Sequence, residues 1–291
     1  MFYFDKQRAL QKNLPIRHRS PEGYQWRLRQ KDMISTADRV SSILKEEADI
    51  YQKKDVQVLK DIERRILFRL SLNEAPKSVI LKVFRFYRFK KKVKHLWKKY
   101  TYSNYGFGET CNLILAAERG IYVPKVYGFG KLPDRFGWTS REAVILEDLS
   151  GHLSLNYLLQ STTIDNRQTE QIFENTIPIL ASLYRAGCNH IDLNLGSLLF
   201  NPKNLAEKPY LLDFEYAQFH KKPSQEVLMF EAASLAKSLG KWLGKEDLKP
   251  WLDKLLDSVE IQQNLRKDLV KRFDYYFNTN QLSPKKRMRI S

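Results

Sequence analysis

The chain has 291 residues, 43% of them hydrophobic, which suits one large domain or two lobes and excludes a disordered chain. No stretch approaches the ~20 apolar residues needed to span a bilayer. The opening MFYFDKQRALQKNLPIRHRS has neither an apolar core nor a small-residue cleavage site, so a cytoplasmic protein without a signal peptide is expected. A net charge of +17 asks for an anionic partner: nucleic acid, an anionic membrane or a phosphorylated substrate.

In chain order, residues 1–50 are polar, basic and weakly periodic. They are predicted to form a basic N-terminal extension with short helices, one over Ser35–Asp49. In RRILFRLSL, Ile66, Phe68, Leu70 and Leu72 alternate with Arg65, Leu67, Arg69 and Ser71, a period of two that predicts a strand. The turn chemistry of NEAPK, Asn73–Lys77, joins it to a second strand, SVILKVF. The pattern then becomes helical. Phe86, Phe89, Val93, Leu96, Trp97 and Tyr100 share a face with basic residues between them; Lys82–Lys99 carries nine Lys or Arg and no acid. Such a run fits either an anionic membrane surface or packing against a sheet.

A further helix is predicted from Phe107 to Arg119, ending at Gly120. Two strand-like runs follow around a Pro-Asp-Arg-Phe-Gly turn, with a hinge near Glu147–Ser150. Helices then dominate: Leu153–Gln160, Asp165–Ala186, Gln225–Leu243, Lys245–Asp257 and Ile261–Phe277, interrupted by one hairpin of Ser197–Phe200 with Tyr210–Phe214. Cys111 and Cys188 show no metal spacing and read as reduced, buried thiols.

Four residues form a set with chemical meaning: Lys82 in VILKVF, Glu109 in GETCNLILAAERG, Asp192 in HIDLN and Asp213 in YLLDFE. Phosphoryl transfer needs a cation for nucleotide phosphates and a carboxylate to orient it. It also needs a carboxylate to accept the proton of the attacking hydroxyl and another to hold a divalent metal.

These residues sit in LKVFRFYRF, AAERGIYVPKVYGFG, AVILEDLSGHLSLNYLL, GCNHIDLNLGSLLF and YLLDFEYAQF. In this order, over roughly residues 55–220, the segments resemble the bacterial lipopolysaccharide core kinase family, which phosphorylates Kdo or heptose sugars and has a protein-kinase-like fold. The resemblance implies an α+β, two-lobed architecture. After the extension come a β-rich nucleotide-binding lobe over 51–149, with a small antiparallel sheet, and a mostly helical lobe over 150–291. It also implies ATP and Mg²⁺ and a lipid-linked anionic sugar acceptor; together with the basic run after Lys82, peripheral contact with the cytoplasmic face of an anionic inner membrane is expected.

By position, Lys82 resembles the phosphate-binding lysine and Glu109 its partner, with Glu118 as a rival. Asp192 resembles the catalytic base and Asp213 the metal ligand. His190 is placed in the catalytic set as a residue that braces the loop. Leu146–Leu149 resembles the segment whose backbone meets adenine, so Ile80, Glu147 and Leu149 join Lys82 and Glu109 as nucleotide contacts.

Three departures stand out. No glycine-rich loop precedes the lysine strand, its candidate turn being Leu59–Glu63. The triplet after the strand is DFE, with Glu215 last. Ser197 stands where an Asn metal ligand is usual, so Ser197, Asn194 or Glu215 is expected to supply the missing oxygen, and Ser197→Asn to leave activity intact or raise it. DFEYA also resembles choline and aminoglycoside kinases, and the departures together admit a non-catalytic kinase-like binding module. Nucleic acid is the weakest partner, since no RNA or DNA motif accompanies the basic residues.

Overall fold

The computed structural model describes residues 3–74, 76–86, 105–161, 165–240, 242, 245–279, 284–287 and 290. Apart from Phe86, the basic helix expected up to Tyr100 lies outside them. The chain divides into two compact units, Met1–Leu115 with Pro124–Leu149, and Ala116–Val123 with Ser150–Ser291.

Among the described residues, the first unit is built on seven antiparallel strands: β1 (Ile16–Arg19), β2 (Gln25–Leu28), β3 (Val56–Ile62), β4 (Arg65–Ser71), β5 (Ser78–Arg85), β6 (Val126–Pro133) and β7 (Thr139–Glu147). Their spatial order is β1-β2-β6-β7-β5-β4-β3. The alternation seen in the sequence puts Ile66, Phe68 and Leu70 of β4 on one face, beside Val79, Leu81 and Val83 of β5. Helix α2 (Met33–Lys45) covers that face with Met33, Ala37, Val40, Ile43 and Leu44. Removing the fully buried Phe68 side chain would cost about 3–5 kcal/mol.

The extension expected over residues 1–50 requires a correction: its described residues contribute to this unit's sheet and core. After helix α1 (Tyr3–Asn13), β1 and β2 extend the sheet beside β6, and Tyr24, Trp26 and Leu28 join the core. The Trp26 indole donates to Ser41 Oγ at 2.9 Å and lies so close to Gly130 that a Cβ there would fall 2.6 Å from its ring. Strands of four residues are too short to show a period, which is why the sequence pattern hides them. The α2 helix also begins and ends earlier than Ser35–Asp49, with a 3₁₀ segment over Glu47–Gln52. β3 runs on to Ile62, so the turn to β4 is Glu63–Arg64 and contains no glycine.

The other face of the sheet meets helix α3 (Tyr105–Glu118). Its sequence is apolar on most sides, as a helix buried on more than one face requires. Its first turn is held by β7, where the Glu142 carboxylate accepts the Phe107 N–H at 3.1 Å. Beyond its end, Gly120 takes a left-handed φ of 80° and Ile121 N–H returns to Ala116 O at 2.9 Å.

The second unit holds helices α4 (Leu155–Gln160), α5 (Asn166–Arg185), α6 (Gln225–Leu239), α7 (Lys245–Ser258), α8 (Gln263–Asn278) and the single turn α9 (Pro284–Arg287). Asp165 and Gln168 close a capping box on α5, and Ser224 caps α6. Two small sheets join them: β8 (Leu153–Ser154), β10 (Leu198–Phe200) and β11 (Tyr210–Leu211), and the pair β9 (Cys188–Asn189) with β12 (Gln218–Phe219). In the expected hairpin Leu198 faces Leu211, but Ser197 and Asp213 fall outside its strands. Gly187 turns the chain from α5 into β9 with φ 61°; a Cβ there would stand 2.8 Å from His220 O. Cys111 and Cys188 are buried and form no disulfide. Among the described residues no helix is long and apolar enough to cross a membrane.

Candidate active site

In the first unit, the pleat of β5 that sends Leu81 and Val83 into the core sends Lys82 to the face covered by α3. There its ammonium lies 2.7 Å from Glu109 Oε1, with side-chain exposures of 7% and 3%. A lysine this buried needs a carboxylate partner, because desolvating either charge alone costs several kcal/mol. Glu118, the rival, is exposed.

Ile80 shares the Lys82 face, half-buried and opposite Leu146 in the β5–β7 ladder. The Glu147 carboxylate accepts the Lys125 N–H at 3.0 Å, and its own N–H donates to Lys125 O at 2.9 Å. Asp148 is fixed by Arg69 Nε at 2.8 Å and by the Ser78 hydroxyl at 2.7 Å. Leu149, next along, makes no backbone hydrogen bond with any described residue. Segment 146–149 is therefore anchored at its side chains and leaves backbone groups of Leu149 for a ligand.

In the second unit, the loop after β9 is held from several directions. His190 is fully buried; its Nε2–H donates to Leu212 O at 2.7 Å and its ring meets the edge of Phe214 at 4.8 Å. Burial holds its imidazole below the ordinary value, opposed by the Leu212 bond and by Asp213 and Asp192. The neutral ring thus ties the loop to the segment that carries Asp213.

Ile191 has a φ of 71°, a costly conformation for a β-branched residue. Both of its backbone groups are pinned. Its N–H donates to Glu231 Oε1 at 2.8 Å, and its carbonyl accepts from Arg287 Nη1 at 3.0 Å. The next residue, Asp192, is exposed and lies 3.3 Å from the same guanidinium. Asp213 is exposed too, at φ 61° and ψ 50°, which an aspartate tolerates better than most residues.

Asn194 and Ser197 close the loop on itself. The Ser197 hydroxyl donates to Asn194 O at 2.7 Å and accepts from Asn194 N–H at 3.1 Å. The Asn194 amide accepts from Gly196 N–H and donates to Asp192 O, both at 2.8 Å. Ser197 is fully buried, and its hydroxyl is committed to this turn. Glu215 is half-buried.

Beside Asp192 opens a cavity of about 310 Å³, lined by Ser234, Lys237, Ser238, Tyr276 and Arg287 among others. Its cations, hydroxyls and one exposed carboxylate suit a polar ligand with negative charge.

Residues 51–229 match the model of the lipopolysaccharide kinase (Kdo/WaaP) family. The chain belongs to this family. Family membership makes it a phosphotransferase of lipopolysaccharide biosynthesis. A solved structure described as "WaaP in complex with acyl carrier protein" is similar, with 16% identity, a TM-score of 0.48, and coverage of 76% of this chain and 89% of that one. No curated protein matches the chain.

Three residues of this lipopolysaccharide kinase escape the sequence reasoning: Asn189, Glu231 and Arg287. Asn189 Nδ2 donates to Arg287 O at 3.3 Å and Ile290 O at 3.1 Å, while Ile290 packs on Val227 and Phe230. Arg287 and Ile290 are thereby fastened to the loop. Glu231 did leave a signal: it is a lone acid in the apolar run LMFEAASLA. A carboxylate at a core position of a helix is rarely buried without a partner to hold.

Proposed function

We propose that the chain transfers the γ-phosphoryl group of ATP to a hydroxyl of a lipid-linked, anionic inner-core sugar, Kdo or heptose. The observation that carries this reading is the buried Lys82–Glu109 pair within a chain of the lipopolysaccharide kinase family. The donor groups fit a magnesium nucleotide. The first unit offers a cation held ready by its carboxylate and free backbone groups at Leu149; the second offers the exposed carboxylate of Asp213, a hard oxygen donor.

When bound, Mg²⁺ and ATP supply the phosphoryl group and the charge that neutralises it. In this proposal Lys82 binds nucleotide phosphate and Glu109 fixes its direction. Ile80 lines the nucleotide site and Leu149 meets the base with its backbone, while Glu147 keeps their segment in place. Asp213 holds the metal. Asn194 and Ser197 shape the loop, so oxygen from Asn194, Ser197 or Glu215 makes at most a weak second metal site. Asp192 takes the proton of the acceptor hydroxyl, and the cavity beside it receives the acceptor. Strong positive charge favours a phosphorylated substrate at an anionic membrane surface, met peripherally from the cytoplasm.

Purified protein incubated with Mg²⁺, labelled ATP and defined lipopolysaccharide precursors tests the proposal. Label should pass to the precursor and be lost in Asp192→Asn. Equal transfer by that variant, or none by wild type, would sink it.

A further inference from the structure

The first unit contains a cavity of about 550 Å³ on the α3 face of β1, β2 and β6, which the proposed phosphotransfer does not use. Its size falls in the range of small-molecule sites, roughly 300–1,000 Å³. Phe107 and Phe129, packed edge to face at 6.0 Å, contribute apolar surface. Arg17, Arg19, Arg27 and Lys131 line it as well.

Backbone register sets two of these cations directly against each other. Arg17 stands directly opposite Arg27 in the β1–β2 ladder, and Lys131 stands opposite Gln25, the partner of Arg19. Like charges directly opposite one another destabilise a sheet. Burial and then the Arg17 charge lower the pKa of Arg27. Among the described residues, none of Arg17, Arg19 and Arg27 makes an ion pair or side-chain hydrogen bond. The one carboxylate among the described lining residues, Glu142, is buried, accepts the Phe107 N–H and stands opposite Lys131 in the β6–β7 ladder. Protection of a sheet edge by charge would account for Arg17 and Arg19, since β1 is the edge strand. It does not account for Arg27, which lies on the interior strand β2.

We propose that this cavity is an anion-binding site for a phosphomonoester, with Arg17 and Arg27 gripping one phosphate group and Arg19 and Lys131 adding charge at its rim. Guanidinium groups suit this task because their paired N–H donors match phosphate oxygens. The phosphate belongs either to a soluble phosphorylated sugar or to a lipid headgroup.

The test compares wild type with the paired variant Arg17→Gln/Arg27→Gln in two arms: calorimetric titration with glycerol 3-phosphate, and sedimentation with phosphatidylcholine vesicles with or without phosphatidic acid. Wild type should bind at least one phosphomonoester probe, and the variant about tenfold more weakly or worse. Binding only in solution assigns the soluble source; binding only to phosphatidic acid assigns the headgroup. Without anion, the variant's unfolding midpoint should stay level or rise, because a repulsion has been removed. Equal affinity in the two proteins, failure of wild type to bind either probe, or a lower midpoint in the variant overturns the proposal. Neither arm depends on phosphotransfer, so its outcome is separate from that of the kinase assay.

Discussion

Arg287 and Asp192 are 95 residues apart in sequence, and the guanidinium of one stands 3.3 Å from the carboxylate of the other. The same guanidinium nitrogen reaches Ile191 O at 3.0 Å, so one side chain holds both the strained residue and the proposed base beside it. Arg287→Ala should lower kcat about 10–100-fold through misplacement of Asp192. Arg287→Lys should recover only part, since a lysine lacks the planar fork. Initial rates at saturating ATP and varied acceptor check this, and an unchanged kcat would leave Arg287 without a positioning role.

The Lys82–Glu109 pair gives opposite expectations for stability and activity. Lys82→Ala or Glu109→Ala alone leaves a buried charge and should cost about 3–5 kcal/mol in urea unfolding. Lys82→Met with Glu109→Leu replaces both charges with apolar bulk and should regain most of that loss. Phosphotransfer should stay abolished in all three. An active Met/Leu protein would remove Lys82 from the proposed nucleotide site.

Glu231 makes stability depend on pH. Burial pushes its carboxyl up to about 7, against the opposing effects of the Ile191 and His190 N–H groups and Arg287, while Asp192 adds to the rise. With a folded value above the ordinary 4.5, the native state binds more protons between about 4.5 and 7. Its contribution is therefore complete below 4.5 and is lost as pH rises through 7. His190 acts in the other direction, since its lowered value favours the native state as pH rises. Glu231→Gln keeps an oxygen for the Ile191 N–H but does not titrate. Thermal unfolding from pH 4.5 to 7.5 should show this variant gaining stability with pH relative to wild type; parallel curves would refute the assignment.

Ser197 alters an expectation drawn from sequence alone. An asparagine there is expected, from sequence, to restore a metal ligand and leave activity intact or raise it. The hydroxyl instead serves Asn194 N–H and O in a fully buried turn. Ser197→Ala should cost about 1–3 kcal/mol by stranding those groups. The larger Ser197→Asn should overpack the turn and lower both melting temperature and kcat. A stable, faster Ser197→Asn enzyme would restore the metal-ligand view.

How much of this was legible follows the range of the contacts involved. The β4–β5 hairpin shows in the alternation of Ile66, Phe68 and Leu70 because a strand with one buried face repeats every two residues. The start of α5 shows in Asp165 and Gln168 because a cap is local. The pairing of Lys82 with Glu109 came through resemblance, as no periodicity links residues 27 positions apart. β1 and β2 were hidden: four residues are too few to repeat, and their place is set by β6, about a hundred residues later. Arg287 was hidden for the same reason, since a basic run looks solvated until the loop it grips is known.

The fastening of Arg287 and Ile290 onto the loop also bears on how the protein is made. Synthesis at about 5–20 residues per second separates Asp192 from Arg287 by roughly 5–20 s. During that interval the nascent chain carries Asp192 but lacks the guanidinium that pins Ile191. The second unit can begin to collapse on the ribosome, yet its loop cannot take its final shape until Arg287 has emerged. The proposed role of Asp192 as base is thus deferred past the synthesis of nearly all the residues that surround it.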